Sequence, residues 1–333
     1  MRESKQLPFL VPDFATFHDT AVAEMAYIDK SHARAQLLNQ RMELACGRAF
    51  LTGFSSPQVT IPDAKIYTFP GMHRHCVSMI YAYPFYREII QKMINAGSYI
   101  YLSSIDDYYI PQKSWYHEEH RLHDGILYGY DDCDDTYTLA AYDTNWIFRS
   151  FRIPQKALEE SIHSALESGG NVRFIAVLVT EKEIELDVPG ILKKLKEYIS
   201  ADFSKYPLDG NGIIKGIIVY DYLDIYFDKL LDGSIQHEKM DWRVLRIIWE
   251  YRIGMLKRLR AVEEKLQIDT SISTAYGDLV QETDRLRMLY ALYHRKKKDS
   301  LLLAVKNGLL DLKAKERTLL EQFVQKVEEA ITT

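Results

Sequence analysis

The spacing of apolar residues along the chain changes near residue 225, and this change constrains the fold more than any other feature of the sequence. Before it, short apolar runs rich in β-branched and aromatic residues alternate with Gly, Pro and Asp, a pattern that predicts short strands. These runs are 98–105, 125–130, 137–142, 147–153, 172–180 and 213–220. After it, apolar residues such as Trp242, Leu245 and Trp249 recur at helical spacing. We therefore predict a mixed domain over 1–225 and a helical region over 226–333.

The fold class of the first part follows from the order of its elements. Apolar spacing predicts helices at about 20–44, 84–97, 154–168 and 189–200. An early helix precedes a strand-rich half, and helices and strands do not alternate regularly, so the predicted class is α+β. In the C-terminal region, the cap-forming residues of 269–278 predict a loop between long helices.

Composition excludes several classes of protein. The net charge of −5 gives no basic field that could hold nucleic acid or an acidic membrane. No apolar run reaches the roughly 18 residues of a membrane span, and the first residues lack the core of a signal peptide. Three cysteines are too few for a disulfide framework, and an odd number cannot all form pairs. This cysteine content is typical of proteins in a reducing compartment. We predict a soluble, cytoplasmic protein with no nucleic-acid or membrane partner.

The most informative segment runs from His123 to Asp143. It predicts two strands joined by the acidic turn 132–135, so that His123 and Asp143 lie at the same end of a hairpin. An aspartate that accepts a hydrogen bond from one imidazole N–H fixes the tautomer and leaves the other ring nitrogen free to act as a base. His123 is thus a candidate base and Asp143 its candidate orienting group. Histidine and aspartate also meet at strand ends by chance, and that interpretation stays open.

The same segment carries a family resemblance. Asp107-Tyr-Tyr-Ile-Pro111, then His123-Asp-Gly-Ile-Leu-Tyr-Gly-Tyr-Asp131, then Tyr142-Asp143 resemble the papain-like acyltransferases and amide synthases of antibiotic biosynthesis, which are relatives of cysteine proteases. The likeness covers about residues 7–260 and is most specific in the hairpin. It implies a papain-like domain that moves an acyl group from a carrier-protein thioester to an amine. The implied partners are an acyl carrier protein or carrier domain and an amine acceptor, with His123 as base and Asp143 as its orienting residue.

The resemblance also implies a nucleophilic cysteine at the start of the first long helix. In this sequence that position reads His18-Asp19-Thr20, without a cysteine. An enzyme of this kind would use His123 as a general base for direct aminolysis, with backbone amides near Asp19–Ala21 stabilising the oxyanion. The ordinary alternative for Asp19 is a helix N-cap, and the Thr20 hydroxyl is a weaker nucleophile than a thiolate.

The three cysteines differ in what surrounds them. Cys76 follows Gly71-Met-His-Arg-His75, a basic environment that favours a thiolate, and it also opens an apolar run that suits a core strand. Cys46 is predicted to be a buried structural residue near the end of the first helix. Cys133 lies among carboxylates at the hairpin tip, where negative charge raises a thiol pKa and excludes catalysis.

A metal site and a basic docking surface are two further possibilities. His117, His120 and His123 follow one another at i, i+3 spacing, whereas zinc proteases use i, i+4 on a helix, so we predict a polar loop at a cleft rim with no metal and no cofactor. The run 295–298 predicts a solvated helix face or a docking surface for an acidic carrier protein.

Three functional hypotheses follow. The first is the acyltransferase or amide synthase, for which a homo-oligomer is one of the assemblies considered. The second is a non-catalytic papain-like partner that binds a carrier domain or a related enzyme. The third is a cysteine hydrolase that uses Cys76.

Overall fold

The protein divides into two compact units, each built from two stretches of chain. A computed structural model describes residues 3–28, 35–40, 42–52, 56–62, 72–179, 184–202 and 212–332. Unit 1 comprises Met1–Arg34 and Ile66–Ile184, and unit 2 comprises Ala35–Lys65 and Glu185–Thr333. The boundary predicted at residue 225 is therefore corrected. Residues 185–225 belong with the C-terminal helices because their amphipathic helix buries its apolar face among them.

Unit 1 is organised around an antiparallel sheet. Numbered along the whole chain, its described strands are β1 (Ser4–Gln6), β3 (Met72–Ser78), β4 (Tyr99–Asp106), β5 (Leu122–Asp131), β6 (Thr136–Tyr142), β7 (Phe148–Pro154) and β8 (Arg173–Val179). They lie in the order β3-β8-β4-β5-β6-β7, and β1 pairs with the end of β5. The strands predicted at 98–105, 125–130, 137–142, 147–153 and 172–180 are confirmed.

Helices cover both faces of this sheet. They are α1 (His18–Ala26), α3 (Met79–Ala82), α4 (Tyr86–Asn95) and α5 (Gln155–Glu167). Residues such as Ile90, Leu158 and Ile162 of α4 and α5 pack with Ile100 and Leu102 of β4 in one core. Each fully buried aliphatic side chain of this kind stabilises the fold by about 1.5–3 kcal/mol. Helix α1 contacts β4, β5 and β8 and contributes nothing to that core, so it covers the opposite face.

The first predicted helix is interrupted. Instead of one helix over 20–44, α1 ends at Ala26, and a short helix α2 (Ala35–Asn39) belongs to unit 2. Residues 42–44, at the end of the predicted helix, are not helical. The residues that follow form strand β2 (Ala45–Gly47), which pairs with β9 (Ile213–Lys215). Residues 29–34 lie outside the described part of the chain.

Unit 2 is mainly helical. Its long helices are α6 (Val188–Ile199), α7 (Val219–Leu231), α8 (Val244–Leu266), α9 (Ser271–Lys296) and α10 (Asp299–Thr332). The strand predicted over 213–220 ends at Lys215, and α7 already includes Val219 and Tyr220. The loop predicted at 269–278 is also shorter. Asp269 accepts a hydrogen bond from the Ser271 N–H at 3.0 Å, and α9 begins there.

A buried ion pair joins four of these helices. Arg252 of α8 and Glu316 of α10 are fully buried, with Nη2 and Oε2 2.9 Å apart. The hydroxyls of Tyr220 in α7 and Tyr276 in α9 donate to the same carboxylate. Burial alone would lower the pKa of Arg252, but Glu316 and the tyrosines raise it above its usual range. A buried pair of this kind adds little net stability, because the cost of removing both charges from water offsets much of their attraction.

The architecture confirms the α+β class: an antiparallel sheet covered by helices in one unit, and a largely helical second unit. Across the described residues, none of the helices is both long and apolar enough to cross a membrane.

Candidate active site

Two consecutive aspartates end strand β4, and both are buried. Asp106 is the last residue of the strand, and Asp107 opens a single 3-10 turn. The N–H of Asp107 donates to the carbonyl of Arg121 at 2.9 Å, which ties this turn to the start of β5. A bulge after Leu102, where Ser104 has a φ of +61°, changes the pairing register just before the aspartates. A buried carboxylate is costly unless it is paired, so each of these needs a partner.

Asp107 meets a lysine and a histidine. His123 Nδ1 lies 3.2 Å from Asp107 Oδ2, and Lys113 Nζ lies 3.3 Å from Asp107 Oδ1. Lys113 Nζ is also 3.2 Å from His123 Nδ1, so the three groups form a closed triangle. Lys113 is 2% exposed, whereas the His123 side chain is 42% exposed. The imidazole is therefore the member of this cluster that a substrate reaches most readily.

The triangle controls which nitrogen of His123 carries a proton. When Nδ1–H donates to Asp107, the lone pair is on Nε2 and His123 can act as a base. When Lys113 donates to Nδ1, the Nε2–H tautomer results and His123 becomes a hydrogen-bond donor. Burial lowers the pKa of Lys113, and the Asp107 carboxylate opposes that shift. The cluster is thus equipped to hold and move a proton at His123.

A second histidine faces this cluster from the start of α1. Helix α1 is held by Glu24, whose carboxylate accepts hydrogen bonds from the N–H groups of Asp13 and Phe14 at 2.7 and 3.0 Å. His18 is its first residue and is only 4% exposed. The His18 ring lies edge-on to the His123 ring, with centroids 5.7 Å apart.

Aromatic rings enclose His18 on its other sides. The centroids of Tyr142 and Phe148 lie 5.8 and 5.6 Å from the centroid of the His18 ring. Within the described part of the chain, His18 Nε2 has no hydrogen-bond partner. Burial, and then the positive charges of Lys113 and His123, hold the pKa of His18 well below its ordinary value. His18 is therefore a neutral imidazole at neutral pH.

Asp143 does not occupy the place that the sequence predicts for it. Its Oδ1 accepts hydrogen bonds from the N–H groups of Asn145 and Ile147 at 2.8 and 2.9 Å, and its Oδ2 pairs with Arg149. Burial alone would raise the pKa of this carboxyl, but these partners lower it. The tight turn between β6 and β7 uses the carboxylate, so Asp107, and not Asp143, is the aspartate paired with His123.

The other residues predicted at the helix start have structural partners. The N-cap of α1 is Phe17, not Asp19, which is the second residue of the helix. The Thr20 hydroxyl is 3.4 Å from Asp19 Oδ1. The N–H groups of Thr20 and Ala21 both donate to the Phe17 carbonyl, at 3.0 and 2.9 Å. These two amides are engaged within the helix, which corrects the expectation that they would stabilise an oxyanion.

The cysteines are placed away from His123. Cys76 is exposed on β3, whose place in the sheet is three strands from β5, a separation of about 14 Å at ~4.8 Å per strand. It cannot transfer a proton directly to His123. Cys46 is buried as predicted, although in β2 and not at a helix end, and burial raises the pKa of its thiol. Cys133 is exposed at the hairpin tip, as predicted.

A second histidine–aspartate pair lies beside the first. His120 Nδ1 and Ser164 Oγ are each 2.7 Å from Asp106 Oδ2, and the His120 ring stacks on Tyr108 at 4.2 Å. The carboxylate lies between the other two groups, so this is not a Ser-His-Asp relay, in which the histidine is central. Its clear effect is to fix α5 to the end of β4.

Sequence reasoning did not single out Asp107 or Lys113 as site residues. The pair Asp106-Asp107 after a strand was a usable signal, because adjacent carboxylates at a strand end need partners. Nothing in the sequence marks Lys113 as buried. In the described ranges, no group of three or more His, Cys, Asp or Glu side chains is arranged to hold a metal ion.

Comparison with known proteins gives no family assignment. No family model matches the chain, and no curated protein matches it significantly in sequence.

Proposed function

We propose that the protein is an acyltransferase of the amide-synthase type, which transfers an acyl group from a carrier-protein thioester to an amine. The observation that carries the proposal is the Asp107–His123 pair, 3.2 Å between Oδ2 and Nδ1, on an imidazole that faces the start of α1. A carboxylate behind one ring nitrogen and an open second nitrogen define a general base.

The reaction that suits this arrangement is direct aminolysis. The amine nitrogen attacks the thioester carbonyl carbon, and His123 Nε2 takes the proton that the amine loses. The carbon–sulfur bond then breaks, and His123 returns the proton to the departing sulfur. The products are an amide and a free thiol, and no oxidant or cofactor is consumed. Since His18 stands where a cysteine would be needed, no covalent acyl-enzyme is part of the cycle.

The papain-like fold is part of the same proposal. It is supported by a helix that packs on β4, β5 and β8 and starts beside the base at the beginning of β5. The donor is then an acyl carrier protein or carrier domain, the acceptor is an amine, and the setting is the cytoplasm.

The test uses a small thioester in place of the carrier protein. S-octanoyl-N-acetylcysteamine and benzylamine are incubated with the full chain, and the amide is quantified by mass spectrometry. Wild-type protein should form the amide, and His123→Ala should lower the rate by about 100- to 10,000-fold, the usual contribution of a general base. His163→Ala is the matched control, because that histidine is exposed on α5. Equal rates for wild type and His123→Ala, or an acyl-enzyme trapped in a single turnover, would contradict the proposal.

A non-catalytic role is the second candidate, and the burial of His18 favours it. A papain-like protein whose helix start carries a buried histidine has no conventional nucleophile there. Such a protein would bind a carrier domain or a related enzyme. In that case His123→Ala leaves unchanged both the binding of the carrier domain and the amount of amide that the whole pathway produces.

A further inference from the structure

His18 Nε2 is a buried polar atom without a partner among the described residues, and the proposed mechanism does not yet use it. A buried imidazole nitrogen that lacks a hydrogen bond costs about 1–3 kcal/mol. The rings of Tyr142 and Phe148 would pack against a phenylalanine or leucine at this position as well as against a histidine. A histidine here is therefore best explained by a group that arrives from outside.

The position of His18 indicates what that group does. The ring is 5.7 Å from the ring of the base, centroid to centroid, and at the first residue of a nine-residue helix. A carbonyl that receives its nucleophile beside His123 develops negative charge on its oxygen. The partial positive charge of a helix N-terminus favours that charge. The Thr20 and Ala21 amides already donate to the Phe17 carbonyl, so neither of them is available to that oxygen.

We propose that His18 is the oxyanion donor of the site: its neutral imidazole donates Nε2–H to the thioester carbonyl oxygen while His123 receives the proton of the amine. This inference rests on the proposed acyl transfer. His18 gives up no proton at any stage. Its hydrogen bond strengthens as the carbonyl oxygen becomes negative and relaxes when the carbon–sulfur bond breaks. A neighbouring side chain must move to admit the oxygen, because Nε2 is buried.

Neutrality is an advantage for this role. An imidazolium next to Lys113 would repel that lysine and would lose its proton to the amine. The pKa of His18 is held well below its ordinary value, so its N–H remains a donor and not an acid across neutral pH. Other enzymes use a neutral histidine at a helix N-terminus to polarise a carbonyl in the same way.

The first test measures turnover of S-octanoyl-N-acetylcysteamine with benzylamine. His18→Leu fits the apolar surroundings but removes the donor, and its kcat should fall about 100- to 1,000-fold with little change in KM. His18→Gln keeps an N–H donor and should recover most of that loss. His163→Gln, on the exposed face of α5, is the matched control. If wild type turns over and His18→Leu is as fast, the oxyanion role is wrong while the acyl-transfer proposal stands. If wild type forms no amide, both fall.

The second test is independent of turnover. Nitrogen-15 NMR of histidine-labelled wild-type protein identifies the tautomer of His18. We expect the Nε2–H form, with a shift that changes on addition of S-octanoyl-N-acetylcysteamine and not of N-acetylcysteamine alone. The Nδ1–H tautomer, or an unchanged Nε2 resonance, would overturn the inference.

Discussion

Asp106 and Asp107 are neighbours in the chain, yet they bind different histidines. Asp106 Oδ2 lies 2.7 Å from His120 Nδ1, and Asp107 Oδ2 lies 3.2 Å from His123 Nδ1. Successive side chains at the end of a strand point in different directions, so one dipeptide serves two histidines three residues apart. Of these two pairs, the one at Asp107 contacts Lys113.

The first prediction separates the roles of the aspartates. Asp107→Asn should lower kcat for amide formation by about 100- to 10,000-fold, because an amide can hold the imidazole in the wrong tautomer. Asp143→Asn should act on folding, with a loss of about 1–3 kcal/mol as the turn loses its charged acceptor. Steady-state kinetics and urea denaturation of both variants measure these effects. Asp106→Asn serves as the control for a nearby buried carboxylate. A larger kinetic effect at Asp143 than at Asp107 would restore the pairing predicted from sequence.

The second prediction concerns pH and stability. The pKa of His18 in the folded protein is below the 6.5 of an unfolded histidine. As the pH falls below about 6.5, the unfolded chain therefore binds a proton that the folded chain does not, and stability decreases. The loss approaches about 1.4 kcal/mol per pH unit until the folded pKa is reached. In His18→Gln this contribution disappears. Urea denaturation at pH 7.5 and 5.0 should show a smaller decrease for the variant; equal decreases would mean that His18 titrates normally.

The third prediction tests the buried pair in unit 2. Glu316→Leu should destabilise the protein by about 3–5 kcal/mol, because Arg252 remains buried without its counter-charge. The double variant Arg252→Met, Glu316→Leu should recover most of this loss. Free energies of unfolding from urea titrations of the two single variants and the double variant give the coupling. Additive losses would show that the pair is not coupled.

The fourth prediction compares two helical glycines. A Cβ at Gly277 in α9 meets open space, so Gly277→Ala should stabilise the protein by about 0.5–1 kcal/mol through helix propensity. A Cβ at Gly308 in α10 would lie 2.7 Å from Leu286 Cδ2, and the same substitution there should give no gain or a loss. Thermal unfolding of the two variants decides this. A gain of similar size at both positions would mean that Leu286 moves aside freely.

The spacing of apolar and turn residues predicted the elements that depend on neighbouring residues in the chain. The β5–β6 hairpin follows from alternating side chains and the acidic turn that joins them, and both are visible in the sequence. The pairing of Asp107 with His123 depends on the bulge at Ser104, which shifts the register of β4 and β5 and has no sequence signature. The β5–β6 hairpin considered alone, without that shift, predicts Asp143 as the aspartate paired with His123.

The features that the sequence did not predict depend on packing between segments that are distant in the chain. The apolar run 216–220 fits a strand by composition, but Val219 and Tyr220 are fully buried in a helical environment and begin α7. Short apolar runs cannot distinguish a buried strand from a buried helix. Burial of Lys113 is likewise a property of the assembled unit, since lysine is seldom buried without a charged partner.

The discontinuity of unit 2 has a consequence for synthesis. Strand β2 pairs with β9, and Arg258 donates to the carbonyls of Leu38 and Gln40. At roughly 5–20 residues per second, the ribosome delivers these partners on the order of 10–30 s after the stretch 35–65 has emerged. By then every strand of the unit 1 sheet has been made. A fragment that stops at residue 184 would thus contain β2, Leu38 and Gln40 without the β9 and Arg258 partners that they have in the full chain.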